Sequence, residues 1–312
     1  MKNCIEKCKS PFVSVVIPAS NCGEMLKKCL RSLSNQDYRG DRYEIIVVAN
    51  GTDKREFEYL KEEKQYRIIY LEKEMEGSYA ARNKGISFAR GEIIGFTDGD
   101  CVADKCWIKN AAEYFERGEI GMLGGRIEFL FKGKNRLNQF ELYDTTFGFK
   151  QEKNVKKRKI SVCANLFVRK NIFNETGLFN AKLLSGGDIE FCKRAVKSGY
   201  EIIYAEDVLI RHPARSSRIM LQEKAKRVMN GLYMFDKRFF LVKMTLSPFI
   251  RATKVLTDRR LGFFQKVSVF FVVCIVFAAQ FSEGVALIFC DRKRRFIGSE
   301  SPRKANNTGE EI

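Results

Sequence analysis

Residues 77–100, GSYAARNKGISFARGEIIGFTDGD, constrain the fold of this chain more than any other stretch. They predict a helix, a short apolar strand from Glu92 to Thr97, and then two carboxylates one residue apart, Asp98 and Asp100. The strand buries itself and delivers both acids at its C-terminal end. Open α/β sheets place their ligands at that end of the strands. Gly99 lets the backbone turn so that both carboxylates face one point. Two hard oxygen ligands at this spacing suit Mg²⁺ or Mn²⁺ bridging a diphosphate. An isolated Asp-Gly-Asp also fits a solvated turn after a strand, so the rest of the chain has to decide.

The residues before it supply strands and helices in alternation. Val13 to Ile17 is an apolar strand ending at Pro18. Gly23 to Gln36 carries Leu26, Leu30 and Leu33 at helical spacing. Glu44 to Val48 is a second buried strand, followed by Ala49, Asn50, Gly51, Thr52 and Asp53. A charged helix and a third strand, Arg67 to Leu71, come next. This alternation predicts a mainly parallel sheet with helices on both faces. The loops after the strands then gather at one sheet edge, where a nucleotide fits. No G-x-G-x-x-G follows the first strand and no G-x-x-x-x-G-K-[ST] is present, which argues against dinucleotide-binding and P-loop proteins.

Beyond Asp100 the sequence predicts a helix from about Asp104 to Arg117, a strand from Ile120 to Ile127 and a helix from Asn135 to Phe149. The run KNVKKRK, residues 153–159, reads as an exposed loop, and Ile160 to Val168 returns to the core. Gly186 and Gly187 open a helix with Asp188 in its first turn, where a carboxylate either caps the helix or does chemistry. Two short strands, Glu201 to Tyr204 and Val208 to Ile210, lead to His212. It is the only histidine in the chain and sits in a basic loop, RHPAR. A lone histidine of this kind is either structural or functional.

The ten cysteines form no C-x-x-C pair and are scattered through core elements, as expected for reduced thiols on the cytosolic side of a membrane. The net charge is +18, and residues 211–260 hold thirteen Lys/Arg against three Asp/Glu. Such a surface attracts anions: a nucleic acid, an acidic bilayer or a phosphorylated acceptor. Arg218 to Asp258 reads as basic helix, and residues 267–281 are uncharged. Fifteen residues make a helix of about 22 Å, short of the roughly 30 Å hydrocarbon core. Extension to Cys290 passes Ser282, Glu283 and Gly284, read here as a break. Basic residues flank both ends: Arg259, Arg260 and Lys266 before, Arg292 to Arg295 after. A single span would place one cluster outside, against the positive-inside tendency. A re-entrant or interfacial anchor, paired with residues 239–250, is therefore expected on the cytoplasmic face of the cell membrane; a buried core helix is the alternative.

Taken in order, SVVIPASN, EIIVVANGTD, GSYAARNKGI, GEIIGFTDGDC, SGGDIEFCKRAVKSGY and VLIRHPARSS resemble the motifs of a family 2 glycosyltransferase with the GT-A fold, from about Phe12 to Gly231. Resemblance and composition together suggest four regions: an N-terminal extension (1–10), the GT-A domain (11–235), a helical membrane-associated region (236–290) and a polar tail expected to be disordered (291–312). The resemblance implies an inverting, metal-dependent enzyme of hexosyltransferase type, with a nucleotide-diphospho-sugar donor of UDP type. The acceptor would be a glycan or lipid-linked hydroxyl at an anionic membrane surface, in polysaccharide or glycolipid synthesis, with no nucleic acid as partner.

Mapped onto this sequence, the resemblance assigns Pro18, Ala19, Asn21, Asn50, Arg82 and Asp98 to the nucleotide-sugar. It assigns Asp98, Asp100 and His212 to Mg²⁺ or Mn²⁺, Asp188 to the catalytic base, and Gly187 and Arg215 to the acceptor side. Arg82 meets a phosphate or a pyrimidine, or else is a helix-surface cation. Two residues depart from the pattern: Ala49 replaces an Asp near the nucleotide base, where Asn50 or Asp53 stands in, and Gly187 replaces a Glu. A catalytically impaired scaffold of the same fold accommodates these departures. A sugar nucleotidylyltransferase would need a Gly-rich loop after its first strand, which SVVIPASN lacks.

Overall fold

The computed structural model describes residues 10–20, 23–49, 57, 66–70, 77–131, 133 and 136–299. Asn21, Asn50, Asp53 and the charged helix expected after it (Phe57 excepted) lie outside the described residues.

The expected alternation appears as strands β1 (Val13–Ala19), β2 (Tyr43–Ala49), β3 (Tyr66–Tyr70) and β4 (Ile93–Phe96), with helices α1 (Gly23–Ser34) and α2 (Ser78–Phe88). These four strands pair in parallel in the order β3-β2-β1-β4. Alternate residues of each strand face opposite sides. Val13, Val15, Ile45 and Val47 pack with Leu26, Leu30 and Leu33 of α1. Val16, Ile46 and Val48 pack with Tyr79, Ala81 and Ile86 of α2. Such strands have to be apolar on both faces, as these are.

The sheet continues through β7 (Leu166–Arg169), β6 (Met122–Leu130), β8 (Ile202–Pro213) and β5 (Val102–Ala103). β7 runs antiparallel to both β4 and β6, so the sheet is mixed but mainly parallel. Helix α3 (Trp107–Arg117) covers one face; α5 (Gln151–Arg158), α6 (Lys170–Thr176) and α7 (Gly187–Lys197) cover the other.

Three expectations need correction. Residues 153–159 are not a loop: most of the run lies in α5, which buries Val155 and Gln151 and turns its lysines outward. The two short strands before His212 are one strand, β8. Its register against β6 shifts at Gly125/Arg126, so Ala205 pairs with Gly125 while Leu209 pairs with Arg126. Buried Asn165 satisfies the shifted backbone. Its amide donates to the carbonyls of Arg126 (2.7 Å) and Val208 (2.8 Å), and its oxygen accepts from the Trp107 indole N–H (2.9 Å). His212 therefore sits inside a strand and not in a loop. Two-residue β5 closes antiparallel onto that strand, Val102 against Arg211, and so brings His212 beside the turn that carries Asp98 and Asp100.

The third correction concerns the C-terminal region. The basic segment after Arg218 is three helices, α8 (Arg218–Phe235), α9 (Lys237–Thr245) and α10 (Ser247–Thr257). α11 (Phe263–Ser299) then runs unbroken through residues 282–284 and past 290, so the tail is helical as far as Ser299. The polar residues inside the apolar run have partners. Gln280 is buried and accepts from Ser247 (3.2 Å) and Arg251 (3.3 Å), and Glu283 accepts from Asn230 (2.8 Å). One face of α11 packs Val269, Val272, Val273, Val276 and Ala279 against Leu221 and Ala225 of α8, Val255 of α10 and Tyr143 of α4 (Gln139–Phe147). The other exposes Phe263, Phe264, Val267, Phe270, Phe271, Phe281 and Phe289. Among the described residues, Phe263–Cys290 is the one helical stretch long and apolar enough to cross a membrane. The seven described cysteines are all free thiols.

Candidate active site

A cavity of about 650 Å³ opens at the C-terminal ends of β1 and β4. The ends of these strands, α2, the start of α7, the end of β8 and one side of α8 line it.

The turn after β4 closes with the Cys101 N–H donating to the Asp98 carbonyl (3.0 Å). The ligating atoms of Asp98, Asp100, Cys101 and His212 all lie within 4.8 Å of one another. His212 Nδ1 lies 2.7 Å from the Pro213 carbonyl oxygen. A carbonyl only accepts, so Nδ1 carries the proton and Nε2 offers its lone pair, 3.9 Å from an Asp100 oxygen. Metal-binding histidines are held this way, the second ring nitrogen donating to a backbone carbonyl. Two carboxylates and one imidazole fit Mn²⁺ well and Mg²⁺ adequately. Burial raises the Asp100 carboxyl above its ordinary pKa and the Asp98 carboxylate adds to this, while His212 and Arg215 oppose it.

Arg82 on α2 is buried and donates to Asp98 (2.5 Å), so it is not a helix-surface cation. Its Nε–H is buried with no partner among the described residues. Buried polar groups are normally satisfied, and an orphan in a cavity wall is ready for an anionic ligand.

Asp188 lies on the α7 side of the cavity, in the first turn of that helix. One oxygen accepts from the Tyr79 hydroxyl (3.0 Å) and the Ile189 N–H (2.9 Å), the other from the Cys163 N–H (3.2 Å). Burial raises its pKa, which the Arg82 guanidinium and these hydrogen bonds partly offset. Gly187 faces Tyr79: a Cβ there would stand 2.9 Å from the ring. Glycine at this position thus makes room for the tyrosine that bonds Asp188.

Tyr79 stays a donor, because burial raises its hydroxyl well above the ordinary value. Its hydrogen bond favours the ionised form of Asp188, so removing it raises the pKa of that carboxyl further. Tyr79→Phe is expected to move the acid limb of the pH–rate profile to higher pH. A profile unchanged in position would show that Tyr79 only packs.

Of the residues singled out in the sequence, Pro18, Arg82, Asp98, Asp100, Asp188, His212 and Arg215 line this one cavity. Ala19 does not: its side chain is buried in the core, as is that of Ala49. Ser20, Tyr79, Cys163 and Lys224 also line the cavity and were missed. Tyr79 lies within the central motif, but its contact with Asp188 spans 109 residues and leaves no local signal.

The Glycosyl transferase family 2 model matches residues 14–176, which run from within β1 to beyond the end of β7. Glycosyltransferase AglE of Haloferax volcanii is 35% identical over 236 residues, 73% of this chain and 76% of that protein. A Methanococcus voltae enzyme is 24% identical over 256 residues, 76% of this chain and 78% of its own. Its name is dolichyl N-acetyl-alpha-D-glucosaminyl phosphate 3-beta-D-2,3-diacetamido-2,3-dideoxy-beta-D-glucuronosyltransferase. Among solved structures, the mannosyltransferase PcManGT of Pyrobaculum calidifontis, in complex with GDP-Man and Mn²⁺, superposes with a TM-score of 0.54 at 14% identity. That match covers 95% of this chain and 77% of the other. Residues 1–349 of S. aureus TarS, in complex with UDP-GlcNAc, also give 0.54 at 14% identity, over 91% of this chain and 92% of that one. The structures establish the shared GT-A fold, and the sequence match runs through the strands that carry the acidic turn. By the sequence matches, this chain belongs to glycosyl transferase family 2 and is a glycosyltransferase.

Proposed function

We propose that the enzyme is a metal-dependent, inverting hexosyltransferase. It moves a sugar from a UDP-type donor to a hydroxyl of a lipid-linked or glycan acceptor, at the cytoplasmic face of a membrane. One observation carries this reading: a single cavity has the Asp98–Asp100–His212 cluster on one wall and the buried carboxylate of Asp188 on another, with Arg82 between them.

Asp98, Asp100 and the Nε2 of His212 are the groups that would hold the cation. Bound there, it would neutralise charge on the leaving diphosphate. The Arg82 Nε–H supplies a further donor to that anion. Asp188 takes the proton from the acceptor hydroxyl. The hydroxyl oxygen bonds to the anomeric carbon as the bond from that carbon to the diphosphate oxygen breaks, and the nucleoside diphosphate leaves. Attack from the face opposite the leaving group inverts the anomeric centre. The cavity walls hold the two reactants for this in-line approach.

The membrane location rests on the apolar face of α11. Beside it, α9, α10 and Leu246 between them expose Phe239, Leu241, Leu246, Phe249, Ile250 and Leu256 among basic residues. Large exposed apolar patches mark protein or membrane contacts. A helix that packs one face on its own domain suits an interfacial anchor with both ends cytoplasmic. The Methanococcus voltae relative, by its name, acts on a dolichyl-phosphate-linked sugar.

The test is transfer of label from a panel of radiolabelled nucleotide-sugars, incubated with full-length protein and membranes from cells that make lipid-linked glycans. We expect label in the organic-extractable fraction, and the protein itself in the floating fraction of a density gradient. Label recovered only as free sugar would contradict the lipid-linked acceptor. Protein that stays at the bottom without detergent would contradict the anchor.

A further inference from the structure

At the α8 end of the cavity, beyond His212, three cations meet. Arg215 and Lys224 both contact the buried carboxylate of Asp144, at 3.1 and 3.5 Å, and Arg227 lies one helical turn past Lys224. Asp144 lies behind Arg215 and Lys224 and is only 2% exposed at its side chain. Glu223 lines the same end of the cavity. Arg227 makes no ion pair with a described residue. Burial and the neighbouring Arg215 lower the Lys224 pKa to about 8. The group is thus short of negative charge.

The Phe149 ring ties this cluster to the acidic turn. His212 packs edge-on against it at 4.8 Å between centroids, and Arg215 and Lys224 stand 5.8 and 5.4 Å from its centre. The cluster is therefore one aromatic ring away from the cation ligands.

Helix α8 joins the cavity to the apolar platform. Met220, Lys224, Arg227 and Val228 face the cavity, while Leu221 and Ala225 pack in the core that holds α11. An acceptor lying in the bilayer against α11 would meet these cations before reaching Asp188.

We propose that Arg215, Lys224 and Arg227 form a second anion subsite, separate from the donor diphosphate, that binds the phosphate ester of a polyisoprenoid-type lipid acceptor. Asp144 positions Arg215 for it through paired hydrogen bonds. The inference rests on the lipid-linked acceptor proposed above and assigns its head-group chemistry. An isoprenoid phosphate and the donor diphosphate are both anions, so the experiment has to separate them.

The probes are farnesyl phosphate, farnesol and UDP with Mn²⁺, titrated against full-length protein in neutral detergent micelles. Charge-assisted hydrogen bonds to a phosphate predict that farnesyl phosphate binds at least about tenfold tighter than farnesol. This preference is expected to shrink with added salt. In the Lys224→Gln/Arg227→Gln double variant it should fall to about twofold or less, with UDP affinity nearly unchanged. Lys224→Arg, which keeps the charge, should retain it. Three results would each overturn the subsite: equal wild-type affinity for the phosphate and the alcohol, a preference untouched in the double variant, or a parallel loss of UDP affinity that assigns the cations to the donor. Wild-type protein that binds farnesyl phosphate preferentially but not UDP would overturn the UDP-type donor of the proposed function and leave the anion site standing.

Discussion

Asp188→Asn is expected to cut the rate of sugar transfer by roughly 10²–10⁴-fold, the usual contribution of general-base catalysis, while leaving donor affinity within about twofold. Asn has nearly the shape of Asp and caps a helix about equally well, so the start of α7 should survive the change. The amide cannot accept at both ends. One of the three hydrogen bonds from Tyr79, Ile189 and Cys163 becomes a donor facing a donor. That local loss is offset in part, because a buried charge is removed with it. A thermal midpoint close to wild type together with collapsed turnover would identify the base. Turnover near wild type would reduce Asp188 to a cap, and lost donor binding would place it on the nucleotide-sugar.

The second large effect is expected at Asp100. Asp100→Ala removes one of two carboxylates from a cluster that, among the described residues, is completed by Asp98, Cys101 and His212. It should abolish transfer together with the Mn²⁺-dependent part of donor binding. Asp98 is already engaged by Arg82, so it cannot take over both positions. His212→Ala leaves the two carboxylates in place. It should raise the Mn²⁺ concentration needed for half-maximal activity and leave much of the rate at saturating metal. Activity of Asp100→Ala in chelator equal to that of the wild type would remove the metal from the mechanism. An unchanged metal titration for His212→Ala would leave that ring with a packing role against Phe149.

What could be read from the sequence follows the range of the interactions involved. β1, β2 and α1 were legible because one local pattern decides each element: a short continuous apolar run for each strand, and apolar residues three to four apart for the helix. α5 was not, because lysines dominate its exposed face and only Val155 and Gln151 reach inward. β8 was split in two at Glu206 and Asp207. Its continuity depends on Asn165, some forty residues upstream, which bonds the shifted carbonyls. The antiparallel insertion of β7 between β4 and β6 is a tertiary fact with no local trace.

The site divides in the same way. Asp98, Asp100, Asp188 and His212 sit near strand and helix ends and Arg82 within α2, all in short motifs that a local reading of the sequence can single out. Tyr79, Asp144 and Lys224 act through partners 109, 71 and 80 residues away and become visible only when α2, α4, α7 and α8 meet around the cavity. Ala19 turns its side chain into the core while its neighbours Pro18 and Ser20 line the cavity, an alternation at a strand end that the motif alone does not reveal.

The central claim is that this cavity binds a nucleoside diphosphate against a divalent cation held by the acidic turn. Calorimetric titration of the full-length protein with UDP and with GDP, once with Mn²⁺ and once with chelator, tests it most directly. We predict binding of at least one nucleotide in Mn²⁺, weakened by at least about tenfold in chelator and weakened equally by Asp100→Ala in Mn²⁺. Failure of both nucleotides to bind, or binding indifferent both to Mn²⁺ and to Asp100→Ala, would contradict it.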